Sequence, residues 1–135
     1  MQSALLETDT LSEVIKGRNQ KFVERASAYI TEFGYFTISH ITRYEILRGL
    51  KAKGAVKQVA RFDVQCHRSR ILPINDEIVV KAAELYAQMR SQGRQISDAD
   101  LLIAATAHVH QLALVTNNLN HFRAITGLNV ETWSA

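Results

Sequence analysis

The sequence has one cysteine, one proline and six glycines among its 135 residues. With Cys66 alone, no internal disulfide can form, which fits a reducing compartment. So little proline, and no internal repeat, linker or low-complexity tract, excludes a disordered chain. No apolar run approaches the roughly 20 residues that a membrane-spanning helix needs. Met1 to Leu6 lacks a basic stretch and is too short for a secretory signal. These absences predict a cytosolic protein with no membrane contact. What is present is a chain that is 47% hydrophobic, long enough to bury a core without disulfides or a structural metal. It reads as a single domain over residues 1–135. The formal net charge of +3 is mildly basic, and becomes informative only where acids and bases are segregated in space.

Strand and helix patterns alternate along the chain. Ser3 to Leu6 reads as a first strand and Thr10 to Lys16 as a short helix stopped at Gly17. Phe22, Ala26, Tyr29, Ile30 and Phe33 recur at helical spacing, so residues 20–33 form a second helix. Tyr35 to Ser39 is aromatic and β-branched, a second strand. A helix follows from Thr42 to Gly49 or Lys51, then another around Val56 to Val64. Pro73 limits any strand at Ile71–Ile74 to a short or edge position. Glu77 to Gln92 is a long helix ended by Gly93, and Asp98 to Gln111 an apolar helix opening with acids. Leu112 to Thr116 and Val130 to Trp133 complete the strands. Such alternation predicts an α/β fold, a mostly parallel central sheet with helices on both faces. Sites in these sheets form outside the carboxyl ends of the strands.

The acids fall at that edge. Glu7 and Asp9 follow the first strand, and Glu45 lies in the first turn after the second. Asp98 and Asp100 open a returning helix, and Asn117 and Asn118 follow the strand ending at Thr116. Clustered carboxylates repel and raise one another's pKa, and a divalent cation removes the repulsion. Oxygen ligands favour magnesium or manganese, bound partly through water. Such an ion serves hydrolysis of a phosphate ester. A purely local reading also fits. Thr10-x-x-Glu13, Thr42-x-x-Glu45 and Ser97-x-x-Asp100 each match a helix capping box, and acids in first turns favour the helix dipole.

Four blocks in order carry a resemblance that spans nearly the whole chain. They are LLETDTLSEVIKG, SHITRYEILRG, ISDADLLIAATA and LALVTNNLNHFRAITGLNVETW. Together they resemble the PIN-domain ribonuclease toxins of the VapC group. The resemblance implies a PIN-like three-layer α/β fold and endonucleolytic cleavage of RNA. It implies a magnesium cofactor, with manganese as the alternative, held by Glu7, Glu45, Asp100 and Asn118. Thr116 and Asp98 would support them. Water would attack the phosphorus in line, with no protein nucleophile. A homodimer and a VapB-type antitoxin that fills the acidic groove are implied as partners. The chain departs from the family at its first acid, where Glu7 stands in place of Asp. The added methylene moves the carboxylate by roughly 1 Å or more, which implies an attenuated or retuned site.

Positions 43–70 carry a basic bias that includes Arg43, Arg48 and Lys51. These read either as solvated helix faces or as a track for the RNA backbone. His108 and His110 are two apart on a helix and point to different faces, and no metal motif includes them. His40 and His121 border the proposed edge, as surface or hydrogen-bonding groups. Cys66 reads as core and Trp133 as an anchor for the last strand. Two rival functions remain at this stage. Glu7-Thr8-Asp9-Thr10 resembles the opening of haloacid dehalogenase phosphatases, but the nucleophilic Asp and a later G-D-x-x-x-D motif are missing. The other rival is a catalytically inactive PIN-like module that binds RNA or protein.

Overall fold

A computed structural model describes all residues, 1–135. Five short strands form one parallel sheet: β1 (Ala4–Leu6), β2 (Thr37–Ser39), β3 (Arg70–Leu72), β4 (Ala113–Val115) and β5 (Val130–Glu131). Their order is β3-β2-β1-β4-β5. The chain thus winds outward one way from β1 and then the other, which places the topological switch point between β1 and β4. Seven helices surround the sheet: α1 (Thr8–Lys16), α2 (Gln20–Phe33), α3 (His40–Ala52), α4 (Val56–His67), α5 (Asp76–Ser91), α6 (Asp98–Val109) and α7 (Leu119–Phe122). None is long and apolar enough to cross a membrane.

The central strands are apolar on both faces because helices cover both. Strand alternation sorts their side chains. Leu5 and Leu114 join Ile78, Leu85, Leu101 and Ile103 under α5 and α6. Ala4, Leu6, Ala113 and Val115 join Leu11, Phe22, Tyr29 and Phe62 under α1, α2 and α4. A one-residue slip of β1 or β4 would exchange the two faces, so the buried pattern fixes the register. The Tyr29 hydroxyl accepts from the Ala4 N–H and donates to the Ala4 carbonyl, at 3.0 and 3.2 Å. Trp133 packs against Tyr29 and Phe36, the anchoring role expected of it.

Strand and helix types match the sequence expectations, with Arg70–Leu72 at an edge as Pro73 requires. Two of the three proposed capping boxes are corrected. Helix α1 starts at Thr8 with Glu7 as its cap, so Thr10 lies inside the helix and donates to the Val115 carbonyl instead. Helix α3 starts at His40 and is capped by Ser39, whose hydroxyl accepts from the Ile41 N–H. Thr42 is therefore an interior residue, and Glu45 sits in the second helical turn, not the first. In the third, the Ser97 cap is formed, with its hydroxyl accepting from the Asp100 N–H at 3.2 Å. Helix α7 leaves no sign in the sequence pattern, because four residues are too few to show a period. At Gly17, φ is 62°, a left-handed cap that any residue with a Cβ would adopt only with strain.

Candidate active site at the carboxyl edge of the sheet

Glu7 leaves the end of β1 and Thr116 leaves the end of β4, side by side at the switch point. The Glu7 N–H donates to the Val115 carbonyl at 2.9 Å, which continues the ladder by one residue. That pairing draws the Glu7 side chain inside, where only 5% of the residue is exposed. One oxygen of its carboxylate, Oε2, accepts from the Asp9 N–H at 3.0 Å and lies 3.5 Å from the Thr116 hydroxyl. Thr116 in turn accepts from the Asn118 N–H at 3.0 Å. Asn118 and Asp9 are exposed.

Glu45 reaches the same edge from α3. The Thr8 hydroxyl donates to its Oε1 at 2.7 Å, and Thr42 lies 3.0 Å from Thr8. An ionised carboxylate only accepts, so Thr8 commits its proton to Glu45 and its lone pair accepts from Thr42. The relay therefore runs from Thr42 through Thr8 to Glu45. Arg48 stands 3.8 Å from the other oxygen of Glu45. Asp100 comes from the first turn of α6, with Ser97 at its N–H and His121 Nε2 3.4 Å from its Oδ2.

The electrostatics tie these acids together. Burial pushes the Glu7 carboxyl up to about 7, and the charges of Asp9 and Asp100 add to that, against the Asp9 and Thr10 N–H groups. Burial also raises Asp100, opposed by His121 and Ser97, with Glu45 and Asp9 adding to the rise. Asp100 thus links the other two acids: its charge acts on Glu7, and that of Glu45 acts on it. No three His, Cys, Asp or Glu side chains are grouped to take one ion directly. Like charges repel, and each carboxylate faces a local donor: Glu7 a backbone N–H, Glu45 Thr8 and Asp100 Ser97, with His121 Nε2 near Asp100 but not hydrogen-bonded to it.

Other sequence candidates lie further out. Arg43 pairs with Asp63 at 3.2 Å and stacks on Phe62, which commits it to the α3–α4 contact. Arg48 sits over Tyr44, and Lys51 is exposed at the end of α3. Asp98 is the first residue of α6, exposed, on the side that faces α5. Sequence reasoning missed Thr8 and Thr42 as site residues. Thr42 carried the signal of a cap, and only the true start of α3 frees its hydroxyl.

A family model described as "PIN domain" matches residues 4–128. The chain belongs to the PIN-domain family. This PIN domain is 31% identical over 121 residues to "Ribonuclease VapC1" of Methanocaldococcus jannaschii, covering 90% of the chain and 79% of the relative. It is 26% identical over 134 residues to "tRNA(fMet)-specific endonuclease VapC" of Salmonella typhimurium, covering 98% and 99%. Among solved structures, it superposes on DNA-bound VapBC from Salmonella typhimurium with a TM-score of 0.86 at 26% identity, covering 98% and 99%. FitAcB from Neisseria gonorrhoeae gives 0.84 at 26% identity, covering 97% and 98%.

The donor set of the PIN domain suits a hard divalent cation. Its groups are carboxylate, amide and hydroxyl oxygens with no sulfur, and the Glu7 carboxyl, raised first by burial, is raised further by neighbouring negative charge that a cation would offset. One or two direct carboxylates, completed by water, are enough for magnesium.

Two expected results follow from this geometry. The first is a pH effect with a defined sign. Glu7 titrates near 7 when folded, against 4.5 as its ordinary value. Between those values the folded chain holds the extra proton, so stability falls as pH rises through this window, by about 3 kcal/mol at most. Thermal melts in chelator should show Tm falling from pH 5 to pH 7 (on the order of these values). A divalent cation should recover most of the loss at the upper end, and Glu7→Gln should flatten the profile. A flat profile for the parent would contradict the burial argument. The second concerns the relay. Thr8→Val should weaken manganese binding about 10- to 100-fold, the usual cost of losing a group that orients a ligand. Thr8→Ser, which keeps the hydroxyl, should bind as the parent does. Calorimetric titration separates these outcomes, and parental affinity in the Val form would show that Glu45 needs no such support.

Proposed function

We propose that this PIN domain is a divalent-metal-dependent endoribonuclease, the toxin of a VapC-type toxin–antitoxin pair. One observation carries the reading: a buried Glu7 at the switch point of a parallel sheet, within the field of Asp100, which itself feels Glu45, in a chain that aligns almost end to end with proteins named ribonuclease VapC. Glu7, Glu45 and Asp100, with the Asn118 amide oxygen, would hold magnesium, or manganese in its place. When bound, the ion would offset charge on the scissile phosphate and acidify water. The chain's own residues supply the rest. Thr8 and Thr42 orient Glu45, Thr116 supports the edge, and His121 steadies Asp100, whereas Asp98 faces α5 and takes no part there. Arg48 and Lys51 lie along α3 to meet the RNA backbone, with Arg43 behind them. A homodimer and a VapB-type antitoxin complete the proposed assembly.

Induction in a bacterial host tests this reading in the cell. The expected result is growth arrest with new RNA ends mapped by sequencing, both lost in the Asp100→Asn form. Transfer RNA belongs among the RNAs sequenced, because the Salmonella relative is named for tRNA(fMet). The second reading, a PIN-like module that binds RNA or protein without cutting, draws on the turn of Glu7 onto the Asp9 N–H. It predicts RNA binding with no new ends.

A further inference from the structure

A cleft of about 820 Å³ lies between the end of α5 and the start of α6. Tyr86, Arg90, Arg94, Ser97, Asp98 and Leu101 line it. The local sequence builds it. Helix α5 ends at Ser91, Gly93 takes a φ of 69°, and the Arg94 N–H turns back to the Met89 carbonyl at 2.8 Å. The chain then crosses to Ser97, which caps α6. This turn places Arg94 and Arg90 in the lining of one cleft, with Met89 and Leu101.

Two arginines and one acid, Asp98, line the cleft, and no ion pair joins them. Every ion pair of the chain lies elsewhere, so neither Arg90 nor Arg94 has a carboxylate at pairing distance. Arg90 donates to the Tyr86 hydroxyl at 3.2 Å with one nitrogen and keeps its other donors. Tyr86 is 48% exposed, a large aromatic ring open to solvent. Exposed aromatic faces flanked by guanidinium groups are what single-stranded nucleic acid uses, stacking bases on the ring and placing phosphates on the cations.

Position relative to the acid edge adds to this. Asp98 lines the cleft, whereas Asp100 faces Glu7 and His121. Two residues turn a helix by roughly 200°, so cleft and acids flank the same first turn of α6, about a helix diameter (~10 Å) apart. A single strand crosses that distance within a few nucleotides.

We propose that this cleft binds the substrate RNA strand a few nucleotides from the scissile phosphate, one base against Tyr86 and the backbone on Arg90 and Arg94. The proposal rests on the ribonuclease reading above and names where its substrate lies. A second copy of the chain suits the cleft less well, because a two-fold contact centred there would face these arginines with their own copies.

The test is fluorescence anisotropy with a short labelled single-stranded RNA of mixed sequence, in chelator so that nothing is cut, over a range of salt. Replacing both Arg90 and Arg94 by Ala should weaken binding about tenfold or more. It should reduce the salt slope by about 1.4, roughly 0.7 for each phosphate no longer neutralised. Replacing both by Lys should keep the slope. Tyr86→Ala should cost about 5- to 100-fold in affinity, and Tyr86→Phe should cost little. Melting temperature and manganese affinity, measured alongside, should stay at the parent's values. An arginine-free double variant with the parent's affinity and slope would overturn the cleft, and the ribonuclease reading would stand if the parent still cuts RNA. A variant that turns from dimer to monomer while binding RNA unchanged would assign the cleft to a subunit contact and overturn the proposal. A parent that neither binds nor cuts RNA would overturn both.

Discussion

Asp100→Asn should yield a folded protein whose metal-dependent cleavage of RNA falls by at least about 100-fold. Outer groups that merely orient a ligand already cost 10- to 100-fold when removed, so loss of a ligand charge should exceed that range. Asn keeps the shape and one oxygen of Asp. What it loses is the negative charge that, with Glu7 and Glu45, would draw a cation to this edge. The competing account makes Asp100 the closing residue of a capping box opened by Ser97, and the Ser97 half of that box is formed in the structure. Capping predicts a different result: a stability loss on the order of 1 kcal/mol with cleavage retained. Both quantities come from the same purified variant, one from denaturation and one from turnover. Full activity in a folded Asn form would leave capping as the whole role of Asp100.

Glu7→Asp should raise activity, by up to about 100-fold, the cost that a misplacement near 1 Å can carry in a catalytic site. The charge is unchanged, so any gain reports ligand placement. In the present protein the longer side chain folds back onto the Asp9 N–H and caps α1. Aspartate also caps helices well, so the shorter residue keeps the fold while presenting its carboxylate about one bond nearer the strand end. Manganese affinity should rise in parallel with turnover. Equal activity in the two forms would show that the surrounding residues have adapted to Glu. Tighter metal binding with no turnover in either form would favour the non-cutting module.

Much of this is readable in the sequence because the physics is local. Leu5 and Leu114 mark strands buried on both faces, and Pro73 marks an edge. Glycines at 17 and 93 mark the ends of helices, at 17 one with a left-handed cap. The convergence of Glu7 and Asp100 follows from topology alone, since strand ends and returning helix starts share one edge of a parallel sheet. What is not readable depends on where helices begin. Starting α1 at Thr8 and α3 at His40 makes Glu7 and Ser39 the caps and turns Thr10 and Thr42 into interior residues. Only then do Thr8 and Thr42 form a relay to Glu45. The commitment of Arg43 to Asp63 and Phe62 depends on how α3 and α4 pack, which no spacing rule supplies. The arginine pair of the cleft, Arg90 and Arg94, lies outside the basic stretch that the sequence brings to notice.

We propose that the acid edge of this PIN domain works as a metal-dependent ribonuclease. The most direct test incubates the purified chain with mixed RNA across a titration of magnesium and of manganese, with chelator and with the Asp100→Asn protein as controls. Internal cleavage should rise with metal, stop in chelator and be lost in the Asn protein. Cleavage that persists unchanged in chelator and in the Asn protein would contradict it, as would intact RNA at every metal concentration with both the parent and its Glu7→Asp form folded.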